Sequence, residues 1–207
     1  IVGGGVIGLE MASYFNSAGS NVTVVEMMDK IAGPMDREIS EILLKNYQKK
    51  GITFNLGSRV TEVKAGMVIY EKDGKSYEVP CDKVLLSIGR RAFTEGLGLE
   101  TIGVEVERGR IITDERSRTN IAGVYAAGDV NGKSMLAHTA YRETEVALND
   151  ILGKKDIMRY NAIPSVIYTN PEVAAVGETE ETAKAKGIDF EVVKLSMMYS
   201  GRYVAEN

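Results

Sequence analysis

The chain has 207 residues, 44% of them hydrophobic, which is enough for a packed core and excludes a disordered protein. Its 25 basic and 29 acidic residues give a formal net charge of -4, which argues against a nucleic-acid-binding surface. Cys81 is the only cysteine and His138 the only histidine, so an intrachain disulfide and a zinc site built from these residues are excluded, and a reducing cytoplasm is favoured.

The N-terminal part of the chain predicts strands that alternate with helices. Ile1 and Val2 have the character of the end of a buried strand, and a helix is expected over 7–18. Residues 21–26 are an apolar, β-branched run typical of a buried parallel strand, and 52–55 predicts another strand of the same kind.

Between those strands we predict a second helix. Asp36 is its expected N-cap, and Gly51 is expected to end it. Apolar residues at helical spacing predict its buried face: Ile39, Leu43, Leu44 and Tyr47.

The pattern then changes to alternation, which predicts a small antiparallel meander. Its strands are expected over 59–64, 67–72 and 75–79, with a hairpin turn at Asp73 and Gly74. This meander takes the place of a crossover helix before a predicted buried strand over 83–88.

The second half of the chain has weaker patterns. They predict further elements in this order: a strand over 123–127, a helix over 134–152, a domain boundary near 153–155, a strand-rich stretch over 164–177, a helix over 178–186 and a strand over 190–195. Because the chain opens inside a predicted strand and stops at 198–207 without a capping element, we expect it to be a piece of a longer protein.

The most informative motif is a glycine-rich turn between the first strand and the first helix, with the pattern G-x-G-x-x-G. In this motif Gly3 allows a tight turn, Gly5 lets the backbone approach a pyrophosphate, and Gly8 permits close packing of helix on sheet. The pyrophosphate then lies at the start of a helix, where free N–H groups and the helix dipole favour an anion. A plain glycine-rich connection is the alternative, and the surrounding strands and helix argue against it.

An acidic residue accompanies this motif at the expected distance. Glu26 ends the second strand, eighteen positions after Gly8. A carboxylate there can accept both ribose hydroxyls of adenosine, and it repels a 2′-phosphate by roughly 1–4 kcal/mol at about 4 Å. The sequence therefore predicts NAD rather than NADP as the ligand.

Five blocks of the sequence resemble the dihydrolipoyl dehydrogenases, a family of flavin disulfide reductases related to glutathione reductase and mercuric reductase. The blocks occur in the order of that family: IVGGGVIGLEMASYF, VVEMMDKIAG, VLLSIGRRAFTEGLGLE, GVYAAGDVNGKSMLAHTAYRE and IPSVIYTNPEVAAVG. The resemblance implies an α/β fold with a Rossmann-like NAD-binding domain over 1–90, a returning segment of an FAD-binding domain over 91–153, and the start of an α+β dimerisation domain over 154–207.

The resemblance also implies which residues contact the two cofactors. NAD contacts are implied along the glycine-rich turn, at the adenosine ribose, and on the adenine and nicotinamide sides: Gly3, Gly4, Gly5, Val6, Ile7, Gly8, Leu9, Glu10, Glu26, Val60 and Gly89. FAD contacts are implied for the Asp129 carboxylate at the ribityl hydroxyls, and for backbone N–H groups at a helix start: Met135, Leu136, Ala137 and His138.

The activity implied is oxidation of protein-bound dihydrolipoyl groups with NAD+ as acceptor, through FAD and a cysteine pair. The expected partners are a second copy of the chain and a lipoyl-bearing protein, either an acyltransferase of a 2-oxo acid dehydrogenase complex or the glycine cleavage lipoyl protein. No catalytic residue is expected in this chain, because the cysteine pair and the family's HxxHP segment are absent from it. Ala92 and Phe93 also replace the usual Pro-Asn. We expect no metal, nucleic acid or membrane contact.

Three alternatives remain open at this point, and the one with the least support is a fragment that serves only to form a dimer, because the expected interface segment is incomplete. Another flavin disulfide reductase, such as a mercuric reductase, an NADH oxidase or a transhydrogenase, has the same cofactor motifs. A stand-alone NAD-binding module without flavin and without catalysis is the alternative of a different class.

Overall fold

In the computed structural model, which describes residues 1–206, the N-terminal part is built on a short parallel sheet. Strand β1 (Thr23–Val25) pairs in parallel with β2 (Thr53–Asn55). On its other side Val2 forms a parallel bridge with Val25, and Val2 also bridges Leu86. The spatial order is therefore β2, β1, Val2, Leu86, which is the central order of a doubly wound nucleotide-binding sheet. The predicted α/β, Rossmann-like fold is confirmed.

Two helices pack against this sheet. Helix α1 is Val6–Ser17 and helix α2 is Arg37–Lys49. Asp36 caps α2 as predicted, since its side chain accepts a hydrogen bond from the Glu38 N–H at 3.1 Å.

The core of this part is a single cluster of apolar side chains from α1, α2 and the sheet. Leu9, Val24, Leu43 and Tyr47 are all at most 1% exposed, and the Tyr47 hydroxyl donates to the Leu9 carbonyl at 3.0 Å. The predicted buried face of α2 is wrong at its first position, because Ile39 is 40% exposed.

The predicted meander is confirmed. Strands β3 (Arg59–Lys64), β4 (Met67–Lys72) and β5 (Lys75–Pro80) form one antiparallel sheet. Asp73 and Gly74 both have positive φ, 50° and 71°, which is the backbone of a two-residue type I′ hairpin turn.

Two predicted strands are wrong. Residues 83–88 contribute one isolated bridge at Leu86, because the facing segment offers only the backbone groups of Val2 for pairing. Leu86 and Ile88 are 63% and 76% exposed, so the segment is not buried either. Residues 123–127 likewise contribute one antiparallel bridge, between Tyr125 and Arg118, and turn hydrogen bonds satisfy the rest.

The segment after the sheet contains a two-stranded hairpin and a long helix. The hairpin is β6 (Val106–Glu107) and β7 (Arg110–Ile111), and the helix is α3 (Ala137–Ile151). Helix α3 starts three residues later than predicted, because Leu136 has extended backbone angles and Ser134 instead pairs its hydroxyl with that of Thr139 at 2.9 Å.

The stretch predicted as strand-rich forms a small hairpin. Strand β8 (Ser165–Ile167) pairs antiparallel with β9 (Val173–Ala175), as expected for 164–177. Ile167 and Val173 belong to the same core cluster as Leu9, so this hairpin packs on the nucleotide-binding part. Residues Ile1–Gly177 together form one compact unit.

The residues from Glu178 onward form a second unit. Helix α4 (Glu180–Ala185) lies within the predicted helix, and α5 (Gly201–Glu206) ends the described chain. The strand predicted over 190–195 is wrong: no strand in the described part of this unit lies beside it, and Val193 and Leu195 are more than 80% exposed. None of the helices in residues 1–206 combines the length and apolarity needed to cross a lipid bilayer.

Candidate functional site

The glycine-rich turn has two positions where no side chain fits. Gly3 has a φ of 102°, and a Cβ placed there would lie 2.4 Å from the Ser87 carbonyl oxygen. At Gly8 a Cβ would lie 2.0 Å from the Gly3 carbonyl oxygen. Gly5 differs, since a Cβ at this position would have no heavy atom within 4 Å. The turn therefore packs tightly on the sheet while Gly5 borders open space, as a cradle for a ligand requires.

The start of α1 offers that space an uncapped helix end. Gly5 is the N-cap residue, no side chain caps the helix, and its first turn contains no acidic residue. The positive end of the helix dipole is therefore available to an anion. Val6 and Ile7 are exposed beside it, whereas Gly8 is buried and the Leu9 side chain lies wholly in the core, facing away from the turn.

The structure brings Glu26 and the turn together. The Glu26 carboxylate accepts a hydrogen bond from the Gly4 N–H at 2.5 Å and another from the Met28 N–H at 2.7 Å. These bonds fix the direction of the carboxylate and use one acceptor position on each oxygen. The remaining acceptor positions can receive hydroxyl groups.

A residue that sequence reasoning missed supports the turn from the other side. The Ala32 N–H donates to the Gly4 carbonyl at 2.9 Å, so both backbone groups of Gly4 are held. Ala32 is 1% exposed and has a φ of 63°, a left-handed conformation that is uncommon for alanine. No sequence pattern indicates a left-handed alanine, which is why this contact could not be predicted.

Glu10 lies one helical turn into α1 and faces the hairpin of β8 and β9. Its carboxylate accepts from the Tyr168 N–H at 2.9 Å, and on the same hairpin the Asn170 carbonyl accepts from the Lys50 Nζ at 2.6 Å. The structure thus joins the helix that follows the glycine-rich turn to a segment 158 residues further along the chain.

The two remaining predicted NAD contacts, Val60 and Gly89, each lie two residues after a serine that is hydrogen-bonded to Glu26 or to the glycine-rich turn. Val60 lies in β3, and the Ser58 N–H just before it donates to the Glu26 carbonyl at 2.9 Å. Gly89 follows Ser87, whose hydroxyl donates to the Gly3 carbonyl at 3.0 Å. Gly89 itself is exposed and has a φ of 110°.

The predicted flavin contacts form a second group around a residue that the sequence analysis did not single out. One guanidinium nitrogen of Arg90 donates to the Met135 carbonyl at 2.7 Å, and another lies 3.7 Å from an oxygen of the Asp129 carboxylate. Arg90 directly follows Gly89, so it links the predicted nicotinamide side to both flavin-side positions. The sequence signal that could have identified Arg90 is its position within the family-like block VLLSIGRRAFTEGLGLE.

A buried carboxylate holds the turn before Asp129. Glu143 has no exposed surface, and it accepts from the Gly128 N–H at 2.5 Å and from the Tyr160 hydroxyl at 2.7 Å. Burial and the Glu143 carboxylate both raise the pKa of Tyr160, so this hydroxyl stays protonated and continues to donate. Sequence reasoning missed Glu143, since an acidic residue within a helix usually predicts a solvated face.

The start of α3 resembles that of α1. Leu136 is its N-cap, with no side-chain cap and no acidic residue in the first turn. Ala137 and His138 are exposed there, and the His138 Nε2 lies 2.8 Å from the Pro164 carbonyl oxygen. Helices α1 and α3 thus both begin without a side-chain cap, α1 close to the Glu26 carboxylate and α3 following the turn that carries Asp129. Each pairs an anion-favouring backbone with a group that accepts hydroxyls.

The chain is similar to known proteins over its whole length. Residues 1–144 match the family of pyridine nucleotide-disulphide oxidoreductases, and residues 163–207 match the dimerisation domain of the same family. The dihydrolipoamide dehydrogenase of Chaetomium thermophilum is 45% identical over 200 residues, which cover 93% of this chain and 40% of the relative. Dihydrolipoyl dehydrogenase 3 of Pseudomonas putida is 40% identical over 98% of this chain and 45% of its own length.

Solved structures resemble the chain over its whole length. LpdA from Mycobacterium tuberculosis has a TM-score of 0.86 and 30% sequence identity, covering 99% of this chain and 45% of that one. The HOCl-induced flavoprotein disulfide reductase RclA from Escherichia coli has a TM-score of 0.84 and 28% identity, covering 100% and 48%. The chain therefore spans less than half the length of each of these proteins.

Proposed function

The chain belongs to the pyridine nucleotide-disulphide oxidoreductase family, and we propose that it is the NAD-binding portion of a dihydrolipoyl dehydrogenase. Such an enzyme is a flavoprotein that oxidises protein-bound dihydrolipoyl groups, with NAD+ as the final acceptor. The relatives from Pseudomonas putida and Chaetomium thermophilum, at 40% and 45% identity, are named dihydrolipoyl and dihydrolipoamide dehydrogenase, which supports the proposal.

The contact between Glu26 and the Gly4 N–H is the observation that carries the NAD assignment. In the proposed complex the pyrophosphate lies over Gly5 at the start of α1, and the adenosine ribose donates its hydroxyls to Glu26. Val60 and Gly89 would border the adenine and nicotinamide ends, with Glu10 near the carboxamide. Bound NAD supplies the hydride acceptor, and these residues supply its position and its orientation.

The proposed FAD contacts are Asp129 and the start of α3 at Met135, Leu136, Ala137 and His138. We infer that Arg90 keeps the Asp129 carboxylate and the Met135 backbone in place before flavin binds. The exposed Asp129 side chain and the uncapped helix start fit a ligand with hydroxyl groups and a negative charge. The proposed division into an NAD domain over 1–90, an FAD segment over 91–153 and a dimerisation segment over 154–207 follows from the same assignment.

The proposed partners are a second copy of the chain and a lipoyl-bearing protein. The match of residues 163–207 to a dimerisation domain supports the homodimer. The names of the relatives support the lipoyl substrate, and the single cysteine supports a cytoplasmic, reducing location. The 207-residue chain should show no lipoamide-dependent NADH formation, because one cysteine cannot form the redox pair of the family.

Calorimetric titration of the 207-residue chain tests the cofactor assignment. We expect NADH to bind with a dissociation constant in the micromolar to millimolar range, and NADPH and FAD to bind more weakly. Glu26→Gln should narrow the gap between NADH and NADPH by about fivefold or more, since it removes a charge that repels the 2′-phosphate. Glu41→Gln, on the exposed face of α2, is the matched control and should leave both affinities unchanged.

Tighter binding of NADPH than of NADH by the unaltered chain would contradict the role of Glu26. Lipoamide-dependent NADH formation by the chain alone would contradict the statement that it lacks the redox pair.

A further inference from the structure

A cavity of about 660 Å³ lies along one face of α3, and no residue of the glycine-rich turn lines it. One wall comes from α3 itself, with His138, Thr139 and Arg142. The opposite wall is the connection that leads from α3 to β8, over residues 155–164. Arg116 completes the lining from a preceding loop.

The lining is strongly cationic. Four of its side chains carry a positive charge, namely Arg116, Arg142, Lys155 and Arg159. The only acidic residue among the lining residues is Asp156. Such an excess of one sign in a concave site raises the local concentration of ligands of the opposite sign.

The Asp156 carboxylate is paired with Arg142, so its charge offsets that of Arg142 rather than that of Lys155 or Arg159. It accepts two hydrogen bonds from Arg142, at 2.6 and 3.0 Å, one from the Asn149 side chain at 2.8 Å, and one from the Ile157 N–H at 2.9 Å. These donors lower the pKa of Asp156, and Arg142 is held rigidly in the wall.

Of the other three cationic side chains, one is held by an ion pair and two are available to bind a ligand. One guanidinium nitrogen of Arg116 donates to the Asp150 carboxylate at 3.1 Å, and the other N–H groups of this guanidinium take no part in that bond. Lys155 and Arg159 form no ion pair within residues 1–206, and both are exposed at the cavity. Lys155 and Arg159 therefore contribute two positive charges to the cavity without an ion-pair partner within residues 1–206.

The rest of the lining is apolar and lies on the connection. It consists of Ile157, Met158, Ala162, Ile163 and Pro164. Met158 is buried, and its N–H donates to the Glu115 carbonyl at 2.8 Å, which anchors this wall. A ligand that fits the cavity thus needs an apolar body as well as negative charge.

We propose that this cavity binds an organic phosphate, with the phosphate group at Lys155 and Arg159 and the apolar body on the wall of Ile157, Ile163 and Pro164. Binding uses contacts to both the phosphate group and the apolar body. Inorganic phosphate has no apolar body and therefore binds more weakly. The cavity is separate from the proposed NAD site, because neither the glycine-rich turn nor Glu26 lines it. It shares His138 with the proposed FAD contacts, which use the backbone of that residue, whereas its side chain lines the cavity.

The single histidine of the chain is a direct spectroscopic probe of the cavity. His138 lines the cavity and is the only histidine, so its ring C–H resonances in a proton NMR spectrum report on the cavity without overlap from another histidine. We would titrate the 207-residue chain with phenyl phosphate at about pH 8, where the phosphate ester is a dianion. The expected result is a saturable shift of the His138 resonances, and a weaker effect of inorganic phosphate.

Charge-removing variants then locate the binding groups. Lys155→Gln and Arg159→Gln should each weaken phenyl phosphate binding by about fivefold, and the double variant by about tenfold or more. Lys154→Gln is the matched control, because Lys154 is an exposed neighbour that does not line the cavity, and it should change the affinity by less than about twofold. Saturating NADH should leave phenyl phosphate binding intact.

Four results would overturn the proposal. They are the absence of a saturable His138 shift, an equal loss of affinity in Lys154→Gln, an equal affinity for inorganic phosphate, and displacement of phenyl phosphate by NADH. The last of these would mean that the phosphate binds at the glycine-rich turn. Failure of NADH to bind would contradict the proposed function without affecting this titration.

Discussion

The first 55 residues and the segment over 83–97 have similar apolar content but very different environments. In the first region Leu9, Val24 and Leu43 are almost wholly buried in one core. In the second, Leu86, Ile88 and Phe93 are each more than 60% exposed. In the first region helices α1 and α2 and the β8–β9 hairpin all contribute to one core cluster, whereas the second forms a β-bridge only with Val2.

An apolar run therefore forms a strand only where neighbouring segments complete it. A strand needs a hydrogen-bonding partner along its edge and apolar surfaces over its faces. Residues 21–26 and 52–55 are hydrogen-bonding partners of each other, whereas the segment over 83–88 has one short partner.

The largest effect is expected from truncation of a core side chain. Leu43→Ala should lower the free energy of unfolding by about 2–5 kcal/mol, because it leaves a cavity in the core cluster. Leu86→Ala makes the same chemical change in the exposed segment and should change stability by less than about 0.5 kcal/mol. Urea denaturation followed by circular dichroism measures both, and equal losses would contradict the contrast between the regions.

The next effect separates packing from binding within the glycine-rich turn. Gly8→Ala should destabilise the chain by about 1–3 kcal/mol or more, since its Cβ would lie 2.0 Å from the Gly3 carbonyl oxygen. Gly5→Ala has open space and should cost less than about 1 kcal/mol, yet its methyl group enters the proposed pyrophosphate position.

Thermal unfolding and NADH titration together distinguish these two variants. Gly5→Ala should keep most of its stability and lose about tenfold or more in NADH affinity. An unchanged affinity in Gly5→Ala would place the dinucleotide elsewhere, even if Gly8→Ala unfolds as expected.

The smallest effect concerns the cap of α2. Asp36→Ala should cost about 1 kcal/mol, because the Glu38 N–H loses its acceptor. Asp36→Asn keeps an acceptor oxygen at the same place and should cost only a few tenths of a kcal/mol, so the pair isolates the hydrogen bond. Denaturation midpoints of the two variants check this, and an equal loss would assign the effect to charge instead.

The sequence was sufficient for elements whose signals are local. The glycine-rich turn, the Asp36 cap and the hairpin turn at Asp73 and Gly74 each depend on residues a few positions apart. All three were found where the sequence predicted them. The family resemblance extended this to residues 163–207, which match the dimerisation domain.

Features that depend on distant partners could not be predicted. Glu143 is buried because Gly128 and Tyr160 meet its two oxygens, and nothing near it in sequence indicates this. The contact between Ala32 and Gly4 likewise depends on a left-handed backbone at Ala32. The strand predicted over 190–195 failed for the related reason that β-branched residues alone do not provide a neighbouring strand.

Helices α2 and α4 begin with a side chain, Asp36 or Thr179, that accepts from their own backbone, whereas α1 and α3 begin without one. A ligand that accepts hydrogen bonds from the N–H groups at the start of α1 or α3 stabilises the folded chain as well as occupying a site. Binding and folding are therefore thermodynamically linked. A dinucleotide present at about 100 times its dissociation constant would stabilise the native chain by about 2.7 kcal/mol.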